Sequence, residues 1–313
     1  MSPTHIGLRN SALAVAALAA IGTVAACTHV SNPAPAVGVQ AGTSHSQATS
    51  AADNDGSEAH IGPTRGSLVV VGGGQMGPEI VTRFIELAGG KDAPIVVIPT
   101  AGGEADSLYT QSCRCAEFLR RAGAKNVTIL HSYDRALAES DSFARVIRGA
   151  RAVWFPGGRQ WRLADAYLGT PMERELHALL DRGGVIGGTS AGASIQASYL
   201  VRGAPEGNTI VMSPGHEQGF GFLRNVAVDQ HVVVRSRLND LPEVLRAHPD
   251  LLGIGIDEGT AIVVHGDEFE VLGRSKAFVY GGNDPLDAGA PYVSLRPGDR
   301  YDLYRRHVIS RQP

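Results

Sequence analysis

A serine between two glycines carries the strongest chemical signal in the sequence. Ser190 lies in the pattern G-x-S-x-G, from Gly188 to Gly192, after the apolar pair Val185-Ile186 and before a stretch with helical spacing. In a nucleophile elbow a sharp strand-to-helix turn exposes the serine hydroxyl, and glycines flank it because a Cβ there would collide with backbone. The following helix N-terminus favours developing negative charge. We therefore predict that Ser190 is a nucleophile; the alternative is a glycine-rich turn with an incidental serine.

A serine hydroxyl needs a base to remove its proton, and the sequence favours His231 for that role. His231 ends the tripeptide Asp229-Gln230-His231 and is followed by VVVRSR. If this backbone stays extended, Asp229, His231, Arg235 and Arg237 share one face, as they would in a substrate cleft. Taken alone, the pattern fits the charged outer face of an edge strand better. Weaker candidates for the base, without a comparable polar cluster around them, are His216, His265 and His307.

The elements that must position these residues begin at Ser67. Apolar runs typical of buried strands alternate there with helical stretches, and the runs are SLVVVGGG, APIVVIPTAGG, NVTILHSY, RAVWFPGG and GVIGGTSAGAS. Such alternation predicts an α/β fold with a mainly parallel sheet covered on both faces. After about residue 225 the pattern changes to strands and turns, in VAVDQHVVV, LLGIGIDEGTAIVVHGDEFEVLG and AFVYGG. We expect these segments to form an antiparallel C-terminal extension of the same sheet.

Five sequence blocks, in order, carry a family resemblance. They are FPGGRQ-x-RL at 155–163, GGTSAGAS at 187–194, GFGFL at 219–223, DQH-x3-R-x-R-L at 229–238 and GIGIDEGTAIVV at 253–264. Together they resemble the cyanophycinases and their relatives in the dipeptidase E family of serine peptidases, over about residues 67–282. The resemblance implies a class I glutamine-amidotransferase-like three-layer α/β sandwich. It also implies hydrolysis of aspartyl peptides, including cyanophycin, a poly-aspartate that bears arginine side chains and is cleaved to β-Asp-Arg dipeptides.

The resemblance assigns roles to individual residues. The catalytic serine, histidine and acid correspond to Ser190, His231 and Glu258, and Glu258 follows an apolar strand run as a buried orienting acid would. A turn with two solvated acids is the alternative for Asp257-Glu258. Backbone N–H groups of Gly158 and Ala191 are expected to bind the oxyanion. The residues that correspond to the family's substrate pocket are Gln160, Asp229, Gln230, Arg235 and Arg237, with the two arginines binding a substrate carboxylate.

One position departs from the family pattern. Cyanophycinases usually carry a further arginine three residues after the second arginine of the DQH block, and this chain has Asp240 there. An anion facing the cleft would repel an aspartyl carboxylate. Alternatively, Asp240 precedes Leu241-Pro242 as a helix N-cap would. The sequence therefore supports the cleavage chemistry better than it defines the substrate.

The N-terminal 65 residues predict export and anchoring. Arg9 precedes 16 small and apolar residues that end in Val24-Ala25-Ala26-Cys27, which resembles the lipobox of bacterial lipoproteins. An ordinary secretory signal with a chance cysteine is the alternative. We expect residues 1–26 to be a signal peptide, Cys27 to carry lipid, 27–65 to be a flexible tether and 66–313 to be one catalytic domain. The predicted location is extracytoplasmic and lipid-anchored to a bacterial membrane.

Composition limits the other functions. Of 313 residues, 43% are hydrophobic, so wholesale disorder is excluded, and a net charge of −3 without a basic run argues against nucleic acid as partner. Cys113 and Cys115 are spaced poorly for an ordinary disulfide, and we interpret them as packing residues on a helix. No H-E-x-x-H, zinc-spaced cysteine pair or P-loop appears, so we expect neither metal nor organic cofactor.

The resulting hypothesis is a serine exopeptidase that acts on a peptide or cyanophycin-like polymer. Two alternatives stay open: an α/β-hydrolase-like esterase that uses another acid and a base such as His265 or His307, and a non-enzymatic surface binding module. Homodimer formation is also left open.

Overall fold

The computed structural model describes residues 60–312. Fourteen strands are assigned in this range: β1 (Ser67–Val71), β2 (Pro94–Val97), β3 (Asn126–Ile129), β4 (Ala152–Phe155), β5 (Val185–Thr189), β6 (Ala197–Tyr199), β7 (Leu223–Gln230), β8 (Leu252–Ile256), β9 (Thr260–His265), β10 (Glu268–Gly273), β11 (Ala277–Tyr280), β12 (Val293–Leu295), β13 (Arg300–Asp302) and β14 (His307–Ser310).

The α-helices of the described residues lie mostly between the first strands. They are α1 (Pro78–Leu87), α2 (Glu117–Arg121), α3 (Arg135–Ala138), α4 (Asp141–Arg148), α5 (Gln160–Tyr167), α6 (Pro171–Asp181), α7 (Ala191–Ser194) and α8 (Leu241–Ala247). Proline occupies the first turn of α1, α6 and α8, where its missing N–H costs no hydrogen bond. No helix among residues 60–312 is long and apolar enough to cross a membrane.

The main sheet has nine strands in the order β14-β13-β10-β9-β1-β5-β4-β2-β3. Strands β1, β5, β4, β2 and β3 are parallel, and β9 joins β1 antiparallel. The run Leu68 to Val71 is buried throughout because the sheet is covered on both faces: Leu68 and Val70 face one core cluster, Val69 and Val71 the other. The expected parallel sheet with an antiparallel C-terminal extension is confirmed, with β9, β10, β13 and β14 as the extension.

A second sheet corrects the expectation for three of the C-terminal runs. VAVDQ, LGIGI and AFVY form β7, β8 and β11 of a five-stranded sheet, ordered β12-β11-β8-β7-β6, and do not extend the main sheet. Its inner face packs on the core that also holds α3 to α7. Leu241 and Val244 of α8 pack against its other face. Hydrophobic periodicity shows that a segment is extended but not which strand pairs with it, so the sequence could not separate the two sheets.

The predicted boundary of the catalytic domain at residue 66 lies too late. His60 Nδ1 is 2.9 Å from Asp267 Oδ2, the Ile61 N–H donates to Asp267 Oδ1 at 2.6 Å, and the Ile61 carbonyl accepts from Arg224 N. A Cβ on Gly62 would lie 2.2 Å from the Gly266 carbonyl oxygen. Residues 60–65 therefore belong to the packed domain. The predicted signal peptide, Cys27 and the tether up to residue 59 lie outside the described residues.

The two cysteines pack against the hydrophobic core as expected, but they do not lie on one regular helix. Cys113 and Cys115 form a disulfide, with their Cα atoms 5.2 Å apart. Cys113 has extended ψ and caps a short 3₁₀ turn, Arg114–Ala116, before α2 begins. In a regular helix, side chains two positions apart do not face each other, so the non-helical backbone at Cys113 is what allows the two sulfurs to meet.

Candidate active site

Ser190 lies at the carboxyl edge of the parallel strands, in the tight connection between β5 and α7. Its φ and ψ are 57° and −112°, a region that non-glycine residues rarely adopt. The flanking glycines are required by close approach: a Cβ on Gly188 would lie 2.2 Å from the Gly192 carbonyl oxygen, and a Cβ on Gly192 would lie 2.0 Å from that of Phe155. The local geometry is that of the predicted elbow.

His231 and Glu258 reach Ser190 from the second sheet. His231 follows the last residue of β7, and its Nε2 lies 2.9 Å from Ser190 Oγ. Its Nδ1 lies 2.5 Å from Oε1 of Glu258, which follows β8. With a neutral imidazole, Nδ1–H donates to Glu258 and Nε2 accepts from the serine hydroxyl. The structure thus brings together the three residues that the sequence nominated, in the order nucleophile, base and orienting acid.

Three consecutive backbone carbonyls at the end of β1 hold the three segments in register. The Val71 carbonyl accepts from Ser190 N at 3.0 Å, the Gly72 carbonyl from His231 N at 2.8 Å, and the Gly73 carbonyl from Gly259 N at 2.8 Å. Gly259 follows Glu258 directly in the chain. The β1 end is therefore a common backbone support for nucleophile, base and acid.

Gly73 and Gly74, just after β1, leave room for the side chains of His231 and Glu258. A Cβ on Gly73, where φ is +115°, would lie 2.1 Å from His231 Cε1, and a Cβ on Gly74 would lie 2.5 Å from Glu258 Oε2. No role in the site was assigned to Gly72-Gly73-Gly74 from the sequence. The available signal was a glycine triplet directly after a buried strand.

Burial sets the charge state of the base. It lowers the pKa of His231 below the ordinary 6.5, the hydrogen bond to Glu258 opposes that effect, and the positive charge of Arg235 adds to it. The imidazole is consequently neutral at neutral pH and able to accept the serine proton.

The loop Phe155 to Gly158 lies beside the nucleophile, but its two glycines differ. Gly158, predicted to bind the oxyanion, has φ +147° and is packed on Ala101, whose carbonyl oxygen would be 2.0 Å from a Cβ at Gly158. Gly157 is the one that faces the serine, since a Cβ there would lie 3.3 Å from Ser190 Cβ and 3.8 Å from Oγ. Ala191, the other predicted donor, is buried at the start of α7. Sequence reasoning missed Gly157, although the same Gly-Gly pair pointed to it.

Four of the five predicted substrate residues lie within six positions of His231 in the chain. Arg237 is buried and its Nη1 donates to the Gln230 carbonyl at 3.2 Å and to Gln230 Oε1 at 3.1 Å, whereas Arg235 is exposed. Gln160 begins α5 and is buried, with Nε2 donating to the Val201 carbonyl at 2.7 Å.

The expectation of an extended backbone beyond Gln230 was wrong. β7 ends at Gln230, His231 and Ser236 have φ near +57°, and Arg235 N donates back to the His231 carbonyl. Asp229 is therefore not beside His231 on an open strand face. It is fully buried, and its carboxylate is bound by Arg202. No sequence motif marked Arg202.

Asp240 is not the predicted helix cap. It occupies the N-cap position of α8, but its backbone is helical and its side chain makes no capping hydrogen bond. Its carboxylate accepts instead from Arg202 Nη2.

Two weaker histidine candidates are engaged elsewhere. His265 Nδ1 lies 2.9 Å from the Gly66 carbonyl oxygen, and His216 Nε2 lies 3.7 Å from Asp165 Oδ1. His231 is the candidate base that contacts Ser190.

The sequence is similar to those of known peptidases. The profile described as peptidase family S51 matches residues 68–272. The chain is 34% identical over 228 residues to the cyanophycinase of Geminocystis herdmanii, which covers 70% of this chain and 81% of that protein. It is 32% identical over 262 residues to that of Synechococcus elongatus, covering 79% and 77%.

A solved structure shares the fold. The crystal structure of a peptidase from an acI-B1 Actinobacterium superposes with a TM-score of 0.59 at 26% identity, covering 77% of this chain and 98% of that one. This similarity supports the expected class I glutamine-amidotransferase-like sandwich.

Proposed function

The chain belongs to peptidase family S51 and is a serine peptidase, and we propose that it is an exopeptidase that hydrolyses β-aspartyl peptides of the cyanophycin type. The observation that carries the proposal is the connected series Glu258–His231–Ser190, with hydrogen-bond distances of 2.5 and 2.9 Å, at the carboxyl edge of the parallel strands. Family membership disfavours the alternative of a non-enzymatic binding module.

The chemistry follows from these contacts. His231 Nε2 removes the Ser190 hydroxyl proton while Oγ attacks the peptide carbonyl carbon, and Glu258 stabilises the imidazolium that forms. In this proposal the oxyanion is bound by backbone N–H groups of Ala191 and of the Gly157-Gly158 loop, which is supported by the position of Gly157 beside Ser190. The intermediate collapses when the C–N bond breaks and the imidazolium proton passes to the leaving amine. Water, deprotonated by His231, then hydrolyses the acyl-enzyme.

The positively charged segment after His231 supports an anionic substrate. Arg235 is exposed one turn beyond the base, and Arg237 lies against Gln230. A guanidinium binds a carboxylate in a bidentate manner, as the free carboxylate of a β-linked aspartyl unit would require. The similarity to cyanophycinases supports the same substrate class.

The direct test is digestion of cyanophycin and of a panel of β-aspartyl and α-aspartyl dipeptides by the full chain, read by mass spectrometry. Release of β-Asp-Arg, absent with Ser190→Ala, is the expected result. Cleavage of simple esters without any cleavage of β-aspartyl peptides would favour the esterase alternative.

Export and anchoring form a separate part of the proposal. We infer from the lipobox-like sequence that Cys27 is lipidated and that the protein is extracytoplasmic. Metabolic labelling with a fatty-acid analogue in a bacterial host tests this, with Cys27→Ala as the control that should remain unlabelled and enter the soluble fraction. Equal labelling of both proteins would contradict the anchor.

A further inference from the structure

A buried arginine outside every predicted motif lies beneath the segment that carries the base. Arg202 follows β6 in the chain, has φ +60°, and exposes only 2% of its surface. A buried cation requires partners, since its desolvation costs several kcal/mol. The partners of Arg202 show what it does.

Each guanidinium nitrogen of Arg202 has an acceptor. Nε donates to Asp229 Oδ1 at 3.0 Å and Nη2 to Asp229 Oδ2 at 3.2 Å. Nη2 also donates to Asp240 Oδ2, and Nη1 donates to the Asn208 carbonyl at 2.7 Å. One planar cation therefore binds two carboxylates that are eleven positions apart in the chain.

Those two carboxylates flank the functional segment. Asp229 lies two residues before His231, and Asp240 lies three residues after Arg237. Between them the chain is a series of turns with positive φ at His231 and Ser236. Backbone hydrogen bonds from Arg235 to His231, from Ser236 to Val233 and from Arg237 to Val232 close these turns within the segment. A segment of this kind needs fixed ends to keep its side chains in place.

We propose that Arg202 is a positioning residue: by binding Asp229 and Asp240, it holds both ends of segment 230–239, which carries His231. In this role Asp240 anchors the segment and is not a substrate ligand. This inference rests on the proposed function, and it assigns anchoring of the substrate carboxylate to Arg235. Burial raises the pKa of Asp229, and Arg202 and then Arg237, whose Nη1 is 3.9 Å from Asp229 Oδ1, act against that rise. The two buried arginines and the two aspartates balance in charge, so exposed Arg235 is the uncompensated cation of this group.

Asp240 is the better position for a test because its side chain is 28% exposed, whereas loss of Arg202 would leave Asp229 buried and unpaired. The variants form a series: Asp240→Glu keeps the carboxylate, Asp240→Asn removes the charge, and Asp240→Arg places a like charge against Arg202. The matched control is Glu268→Gln, which breaks an exposed ion pair with Arg300 on the main sheet.

Two readouts separate this inference from the proposed function. The first is kcat and KM for cyanophycin. The second is the rate and pH profile of Ser190 labelling by a fluorophosphonate, which requires a correctly placed His231 but no substrate carboxylate.

We expect the labelling rate and kcat/KM to fall together, least in Asp240→Glu, more in Asp240→Asn and most in Asp240→Arg. Asp240→Glu should stay within about 3-fold of the wild type, and Asp240→Arg should lose more than about 10-fold. Glu268→Gln should match the wild type. If no variant hydrolyses cyanophycin but labelling shows this order, the substrate proposal fails and the positioning role stands. Unchanged labelling across the series would overturn the positioning role. A loss of cyanophycin cleavage with normal labelling in Asp240→Asn would do the same, because it would make Asp240 a substrate ligand.

Discussion

Ser190, the proposed nucleophile, and His231, the proposed base, both have φ +57°, but the protein fixes them by different means. At Ser190 the constraint is mostly local, since β5, α7 and the flanking glycines define the turn, and the Val71 carbonyl adds one hydrogen bond from a distant strand. At His231 the constraint comes from distant parts of the sequence: the Gly72 carbonyl on one side and the Arg202–Asp229 pair on the other. A strained backbone of this kind costs about 1–3 kcal/mol and persists only where its surroundings determine it.

Substitutions around Ser190 and substitutions around His231 should therefore reduce activity in different ways. Substitutions at the elbow act through the reacting atom or through steric collision. Substitutions around His231 act through charge, hydrogen bonding and the pKa of the imidazole. Four predictions test this contrast.

The largest effect is expected at the nucleophile. Ser190→Ala removes the attacking oxygen and should lower kcat/KM by about 10³-fold or more, because the remaining site binds substrate but forms no acyl-enzyme. Its unfolding temperature should stay close to that of the wild type, since Ser190 Oγ is bonded only to His231 among the described residues. Calorimetry and peptide hydrolysis measure both, and retained turnover would refute a serine mechanism.

Removal of the acid tests the base half. Glu258→Gln cannot neutralise the imidazolium and can donate an amide hydrogen to Nδ1, which favours the wrong tautomer, so kcat should fall about 10²- to 10⁴-fold with little change in KM. Glu243→Gln on the exposed surface of α8 is the control. Full activity of Glu258→Gln would favour an esterase-like site with another acid.

The turn at Ser190 could be predicted from the sequence because most of the residues that determine it are neighbours in the chain. Glycines at 188 and 192 encode the turn around Ser190 directly. The parallel direction of β1, β2, β4 and β5 was likewise implied by the alternation of strands and helices, although their order in the sheet was not.

The surroundings of His231 could not be predicted in the same way. That His231 lies at a turn depends on pairing within a second sheet, and Arg202 binds Asp229 and Asp240 across 27 and 38 positions. Hydrophobic periodicity has no information about such contacts. The family resemblance identified His231 and Glu258, but it left Asp240 without a partner.

A steric test asks whether the glycine support matters as much to the base as the elbow glycines do to the nucleophile. Gly73→Ala places a methyl group 2.1 Å from His231 Cε1 and should lower kcat/KM by about 10²-fold, because a displacement of about 1 Å at a catalytic group has effects of that size. Gly89→Ala is the matched control: its φ of +102° is close to the +115° of Gly73, but no atom lies within 4 Å of the added Cβ. Equal losses in the two variants would show that backbone strain, and not the contact with His231, is responsible.

The smallest expected effect is electrostatic and concerns the pH dependence of the base. Because burial lowers the pKa of His231 below 6.5, the neutral form persists on acidification, and Ser190 labelling by a fluorophosphonate should decline only as pH falls below that value. The positive charge of Arg235 also lowers this pKa, so Arg235→Gln should raise it and move the acid limb of the labelling profile to higher pH.

At pH 8, where the imidazole is neutral in both proteins, the labelling rates should agree, and added salt should reduce the difference at low pH because it screens exposed charges. Arg114→Gln, at a side chain that is 94% exposed near the disulfide, controls for loss of a positive charge. An acid limb that stays in place in Arg235→Gln would mean that Arg235 contributes little to the pKa of His231. It would then weaken the contrast between Ser190, which is fixed by steric constraints, and His231, which depends on nearby charges.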